Sequence, residues 1–509
     1  MLQRARCIRT RSCRTHSQFG RSRRRDRIRW AQPRPAMGHP DFLAIAKAII
    51  RIRSSLQERK AMHFDRRKFL RASGSFAAVT ATGSTLSHAA TGMPFLITRP
   101  ADVLLPKSDR QRVVICGGGW GGLNAAKQLR LLAPQLEVVL LERNPVFFSC
   151  PMSNKWLIDV VDTNFLTHDY LRVSEKHGYR FIQTEILAIE RDRRKVVTAA
   201  GELAYDYLIL SPGIRYNYEA WFDNDRRLAE ATRARFPAAY VPNAEHFMLK
   251  RAIQEFKGGD LVMTLPPPPQ RCPPSPYERA CLIAWLFKTR KIKGRVIILD
   301  HKDGVRPIGL GFRTAFEELY KDIITYVPNA HVKSVDPFNK RIKTAAGDFS
   351  FEHAILMAPH QAGDLAWKAD VIGRTPDGKP NGWADVDPLF LHVRDDKNVF
   401  VIGDAVGVVA PTFRFYPKSG HVANRLARIV AYYIAERAAG RDPKYKLPDN
   451  LCYMWVNGDP QEAINVGFEY SLDERGQIEQ VQLDDNERRG ELVPEDFAWA
   501  KTMYEDMFA

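Results

Sequence analysis

From about residue 110 onward, short unbroken apolar runs alternate with stretches whose apolar positions recur every three or four residues. The runs at 113–115 and 138–141 are built from Val, Ile and Leu with no polar interruption, which predicts strands buried on both faces of a parallel sheet. A helical pattern starting near Leu123 separates them. Strands are predicted at 179–183 and 195–198, and at 206–210, where an apolar run closes on Ser211-Pro212-Gly213. A helix at 245–256 then leads to a strand at 261–265, a long helix at 276–291 and a strand at 296–299. Further on, the run from Asn398 ends in Gly403-Asp404-Ala405, and a helix follows from Ser419. The tail differs in character, with strand-like runs at 464–470 and 478–483 before an aromatic-rich last helix.

The turn after the first strand carries Gly117, Gly119 and Gly122 at G-x-G-x-x-G spacing, and the second strand ends in Glu142, with Arg143 beside it. Strand, glycine turn, helix, strand and acid form the dinucleotide fingerprint in its required setting. The first glycine permits a tight turn, the second lets backbone approach a pyrophosphate, and the third lets helix and strand pack closely. Glu142 is placed to accept hydrogen bonds from ribose hydroxyls. Gly403 and Asp404 in the later G-D-A turn, with Lys418 before the Ser419 helix, point to a second contact with the same cofactor and favour FAD over NAD. At the equivalent turn of the second strand–helix–strand unit the chain reads PPPPQRCPPSPYE (266–278). Proline has no N–H to offer a phosphate, so this unit is expected to have lost nicotinamide binding. The predicted class is α/β, with two Rossmann-like dinucleotide-binding domains of glutathione-reductase type plus a C-terminal α+β domain. The expected division is 110–224 with 368–443 for FAD, 225–367 for the second nucleotide-type domain, and 444–509 for a flavin- and partner-facing tail.

Charge changes the picture only at the N-terminus. The chain has 509 residues and a formal charge of +18. Residues 1–61 hold 17 Lys/Arg against 3 Asp/Glu and residues 62–90 hold 4 against 1, so the remainder is near neutral and gives no case for nucleic acid. Residues 62–89 look like a twin-arginine export signal, with Arg66-Arg67, a mildly apolar stretch, and Ser87-His88-Ala89 before the expected cleavage point. Export to the periplasm is therefore expected. Residues 1–61 then read as a disordered extension or a misassigned start, with translation beginning at Met62. No apolar run reaches eighteen residues, so no transmembrane span is expected. No C-x-x-C-H is present, so the chain carries no c-type haem of its own.

The strings FFSCPMSN (147–154), RCPPSPYERA (271–280), VIGDA (401–405), PKSG (417–420) and the tail containing Cys452 resemble the flavoprotein subunit of flavocytochrome c sulfide dehydrogenase, within a wider group that includes the sulfide:quinone oxidoreductases. The similarity runs from about Gln111 to the C-terminus. It implies a thioether from Cys150 to the flavin, a redox-active disulfide between Cys272 and Cys452, an acid at Glu278 near that disulfide, and a c-type cytochrome subunit as partner. Lys155-Trp156 departs from the pattern, where a smaller or acidic pair is expected.

The residue types suit that chemistry. Sulfide is a nucleophilic anion, and a disulfide offers it an electrophilic sulfur, giving a persulfide and a thiolate. Arg271 and Arg279 are placed to draw in HS⁻ and stabilise the thiolate. Glu278 would manage protons if burial raised its pKa. Spacing alone leaves Cys272 and Cys452 open to a merely structural bridge, while Cys116 and Cys281 read as buried core. The expected function is periplasmic FAD-dependent oxidation of sulfide with electrons passed to a cytochrome. The alternatives are a sulfide:quinone oxidoreductase, with Trp499, Met503, Tyr504, Met507 and Phe508 forming a membrane-facing apolar face that fits packing on a partner protein equally well, and a flavin-bearing assembly subunit without turnover.

Overall fold

The apolar runs become the centres of two parallel sheets. The computed structural model describes residues 103–509 apart from 224 and 243, so the expectations for 1–61 and 62–89 lie outside the described residues. In the first sheet Arg112–Cys116 lies centrally, in the order His392–Val393, Asp396–Val401, Tyr207–Leu210, Arg112–Cys116, Glu137–Glu142, Arg180–Gln183. All pairings are parallel except that of the short His392–Val393 edge. Val114 sits in register between Val139 and Leu208, and every residue of its strand is buried, which is why the run needs no polar alternation.

A second, four-stranded sheet runs Ile324–Val327, Gly294–Asp300, Gly259–Leu265, His353–Leu356, all parallel. The Ser275–Thr289 helix follows its Gly259–Leu265 strand, as the sequence predicts to within two residues. The tail forms an antiparallel sheet of Asn450–Gly458, Gln461–Leu472 and Ile478–Arg489, then a helix at Leu492–Phe508.

That last helix turns its apolar side inward. Met503, Tyr504 and Met507 are buried, Trp499 stacks on Trp120, and Phe508 stacks on His168. The expectation that this set could form a membrane-facing surface is corrected: packing on the first sheet's helix and loops uses the face up. No helix among the described residues is long and apolar enough to cross a membrane.

Candidate functional site

At the end of the Arg112–Cys116 strand the chain must reverse into a helix within three residues. Gly117 does so at φ +106, and a Cβ there would lie 2.4 Å from the carbonyl oxygen of Ser211. At Gly122 a Cβ would lie 1.8 Å from the carbonyl oxygen of Gly117, so helix and turn close on each other only with glycine. Gly119 faces open space, with nothing within 4 Å. It also caps the Trp120–Leu132 helix without a side-chain hydrogen bond, leaving that N-terminus free for an anion.

This turn opens on a cleft of about 1070 Å³, lined among others by Gly117, Gly119, Glu142, Arg143, Cys150, Gly403 and Asp404. The volume stands at the upper end of the range for cofactor sites, roughly 300–1,000 Å³. An open glycine, an uncapped helix N-terminus and an acid at the next strand end fit a dinucleotide. The phosphates would meet the Gly119–Trp120 backbone and the ribose would meet Glu142. That carboxylate is already partly engaged: Oε2 accepts the Gly118 N–H at 2.8 Å, and Oε1 accepts the Asn144 N–H and side-chain amide at 2.9 and 2.6 Å.

At the second sheet the matching acid is already engaged. Asp300, at the strand end matching Glu142, is fully buried. Its carboxylate accepts from the hydroxyls of Tyr277 (2.5 Å) and Tyr326 (3.0 Å) and from the backbone and ammonium of Lys302 (3.0 and 2.8 Å). The prolines remove phosphate donors, and Tyr277 fills the space where a ribose acid would be free.

The large cleft adjoins a smaller cavity of about 70 Å³, and Cys150, Arg271, Ser419 and Gly420 line both. Cys272, Cys452, Glu278, Arg279 and Lys418 line the smaller one. Cys272 (φ +47) precedes the Ser275–Thr289 helix, and its N–H donates to the Lys418 carbonyl at 2.8 Å. Cys452 comes from the tail sheet, with the Asn450 side-chain amide 3.5 Å from its Sγ. The two cysteines, 180 positions apart in sequence, thus share one cavity. Both are free thiols, as are Cys116, Cys150 and Cys281. Burial pushes the Cys452 thiol up to about 11, opposed by the Asn450 bond, and pushes Cys272 higher still, with the nearby Cys452 adding to the rise. Cys116 and Cys281 are wholly buried in the core.

Arg271 ties the two spaces together. Its Nε lies 3.0 Å from Asp404 Oδ2, and an Nη donates to the Tyr240 carbonyl at 2.7 Å. Arg279 is buried and donates to Asn154 and to the carbonyls of Ala238 and Ala239; among the described residues it has no carboxylate in ion-pair range. The cavity wall is therefore net positive and suited to a small anion.

Two candidates behave differently from the sequence reading. Lys418 lines the cysteine cavity and not the large cleft; its ammonium donates to the carbonyls of Asp404 (2.8 Å) and Val406 (2.9 Å) over the Trp383 ring. Both Glu278 oxygens already have donors. Oε1 takes the Lys155 ammonium (2.7 Å) and the Trp455 N–H (2.9 Å), and Oε2 takes the Asn154 amide (2.7 Å). Sequence reading assigned no role to Asn154 or Asp496, which line this cavity, or to Asn450, which bonds Cys452, and it read Trp499 only as part of an apolar face.

Burial pulls the Lys418 ammonium down from 10.5 to about 7, while the unfolded chain keeps the ordinary value. Between those values the unfolded state binds the extra proton, so stability should rise with pH across that window and stay flat below it. The Lys418→Met variant is expected to lose that part of the rise in melting temperature. Identical pH profiles for the two proteins would contradict it.

Comparisons with known proteins agree with this geometry. Residues 247–357 match the family described as sulfide dehydrogenase (flavocytochrome c) flavoprotein chain, central, and residues 111–225 match pyridine nucleotide-disulphide oxidoreductase. The chain is 50% identical over 44 residues to the sulfide dehydrogenase (flavocytochrome c) flavoprotein chain of Chlorobaculum thiosulfatiphilum, covering 9% of this chain and 92% of that sequence. It is 24% identical over 319 residues to the mitochondrial sulfide:quinone oxidoreductase of Mus musculus, covering 58% of this chain and 66% of that protein, just under two thirds of its length. The solved sulfide:quinone oxidoreductase of Aquifex aeolicus shares the fold at TM-score 0.60 and 18% identity, covering 78% of this chain and 91% of that one.

Proposed function

Since the chain belongs to the sulfide:quinone oxidoreductase-like flavoproteins of the flavocytochrome c sulfide dehydrogenase type, we propose that this FAD-binding protein oxidises sulfide and passes the electrons to a c-type cytochrome in the periplasm. The observation that carries the reading is the meeting of Cys272 and Cys452 in one cationic cavity that opens beside the cofactor cleft.

In the oxidised protein these two cysteines form a disulfide. Arg279, without a carboxylate in ion-pair range among the described residues, favours entry of HS⁻ into the cavity. Attack forms a new S–S bond to one cysteine and breaks the bond between the two. The attacked cysteine becomes a persulfide that retains the proton of HS⁻, and the electron pair of the broken bond stays on the other sulfur as a thiolate. FAD, when bound in the cleft, supplies a two-electron acceptor that can release electrons singly. Cys150, at the junction of the two spaces, is the residue proposed to attach it covalently. Glu278, held by Lys155, Asn154 and Trp455, orders the cavity wall.

Quinone is the alternative acceptor, as the names of the related proteins suggest. The inward packing of the C-terminal helix favours a soluble acceptor over one reached through a membrane-facing apolar surface.

Anaerobic addition of sulfide is expected to bleach the protein's yellow colour, and NADH to leave it unchanged. Reoxidation should proceed with c-type cytochrome and not with a short-chain quinone, and colour should stay with the acid-denatured chain. Bleaching by NADH and not by sulfide would overturn the reading. Preference for quinone would overturn the acceptor, and release of the colour would overturn the attachment.

A further inference from the structure

Lys155 is the residue the sequence pattern marks as out of place, and the reaction above gives it no part beyond holding Glu278. Its ammonium is buried, 2.7 Å from Glu278 Oε1 and 3.1 Å from Asp496 Oδ2. Three elements distant in sequence supply the three charges: the Ser153–Leu157 helix, the Ser275–Thr289 helix and the Leu492–Phe508 helix. Trp455, three residues beyond Cys452, joins them, giving its backbone N–H to Glu278 (2.9 Å) and its indole N–H to Asp496 (2.8 Å). A buried ion cluster adds little net stability, because desolvation offsets the attraction. Docking the tail onto the body therefore does not by itself account for charges at these positions.

What the cluster does have is a sulfur beside it. Lys155, Glu278 and Asp496 all line the cavity that holds Cys452. The other titratable or charged groups lining that cavity are Cys150, Cys272, Tyr240, Arg271, Arg279, Lys418, His421 and Tyr453; the Asn450 amide bonds the Cys452 sulfur, and Tyr470 lies on the neighbouring strand. Trp455 ties the cluster to the Asn450–Gly458 strand that carries Cys452, whereas Arg271 is the chain neighbour of Cys272 and lines both spaces.

We propose that Lys155 and Asp496 are positioning residues that set, with opposite signs, how readily Cys452 exists as the thiolate, while Arg271 serves Cys272. The two sulfurs of the pair are thereby made chemically unequal by separate cations. The inference rests on the reading of Cys452 as a reacting sulfur and goes further in naming what tunes it.

The test uses the reduced full-length flavoprotein. Alkylation by iodoacetamide is followed from about pH 6 to pH 10, below the raised pKa of both thiols, and read separately at Cys272 and Cys452 by peptide mass spectrometry. K155Q is expected to slow Cys452 by roughly threefold below its thiol pKa, since one pKa unit cuts the thiolate fraction about tenfold while the more basic thiolate is about threefold more nucleophilic. Cys272 should stay within about twofold, and K155R should restore the rate at Cys452. D496N keeps an acceptor for the Trp455 indole and should accelerate Cys452. A K155Q effect shared equally by both cysteines overturns the proposal, as does a D496N effect in the same direction as K155Q. If K155Q fails to fold, D496N alone decides, and an unchanged Cys452 rate overturns it. Failure of sulfide to reduce the wild-type protein would refute the proposed function while leaving this contrast between the cysteines intact.

Discussion

Cys272→Ser and Cys452→Ser are each expected to cut sulfide-driven reduction by roughly 10³-fold or more, the scale of losing one member of a covalent catalytic unit. A serine oxygen cannot form the disulfide that sulfide must attack, and the partner cysteine is left as an isolated thiol. The loss should not track cofactor content, because neither residue lines the large cleft. Cofactor absorbance per protein should match wild type in both variants. Combining the two substitutions should cost no more than either alone, since both remove the same bond. A variant that keeps more than about a tenth of the wild-type rate would show that electrons leave sulfide by another route.

Gly122→Ala is expected to be the most damaging single-methyl change in the first sheet. The added carbon would sit 1.8 Å from a backbone oxygen, where no side chain can swing aside, so the turn itself must open. The expected cost is about 4 kcal/mol or more, at the severe end for single substitutions. It should appear in denaturant unfolding as loss of folded protein and of bound cofactor together. Gly119→Ala is the informative comparison, because its added methyl meets nothing within 4 Å. That variant should unfold like wild type yet bind FAD more weakly, since the methyl projects where backbone and pyrophosphate are to approach. A Gly122→Ala protein with normal stability and full cofactor would contradict the assigned turn.

The parts of this molecule legible in the sequence are those fixed by local pattern. Unbroken Val/Ile/Leu runs declare strands covered on both faces, and the 113–115 and 138–141 runs pair where that logic places them. The prolines at 266–269 led to the expectation of a lost second nucleotide site, and the structure adds that the Asp300 carboxylate at the matching strand end already accepts from Tyr277, Tyr326 and Lys302. Resemblance carried Cys272 and Cys452 further than spacing could, because a loop residue of the second unit and a strand residue of the tail meet only once the tail has folded back.

What could not be read is the state of groups whose partners are remote. Glu278 looked available for proton transfer, but donors from positions 154, 155 and 455 occupy its oxygens. Lys418 looked like a cofactor contact, yet a single turn of chain points its ammonium at the carbonyls of Asp404 and Val406. Asp496 carried no signal at all, since an acid on an aromatic-rich helix is an ordinary surface residue until Lys155 is found beneath it.

The central claim is that sulfide reacts at the sulfur pair beside the cofactor cleft. Peptide mapping of the oxidised protein without reductant, before and after one equivalent of sulfide, tests it most directly. The account predicts a Cys272–Cys452 linked peptide that sulfide converts into one cysteine carrying an added sulfur and one free thiol. Finding the two cysteines as separate, unmodified thiols before sulfide, after it, and throughout turnover would contradict it.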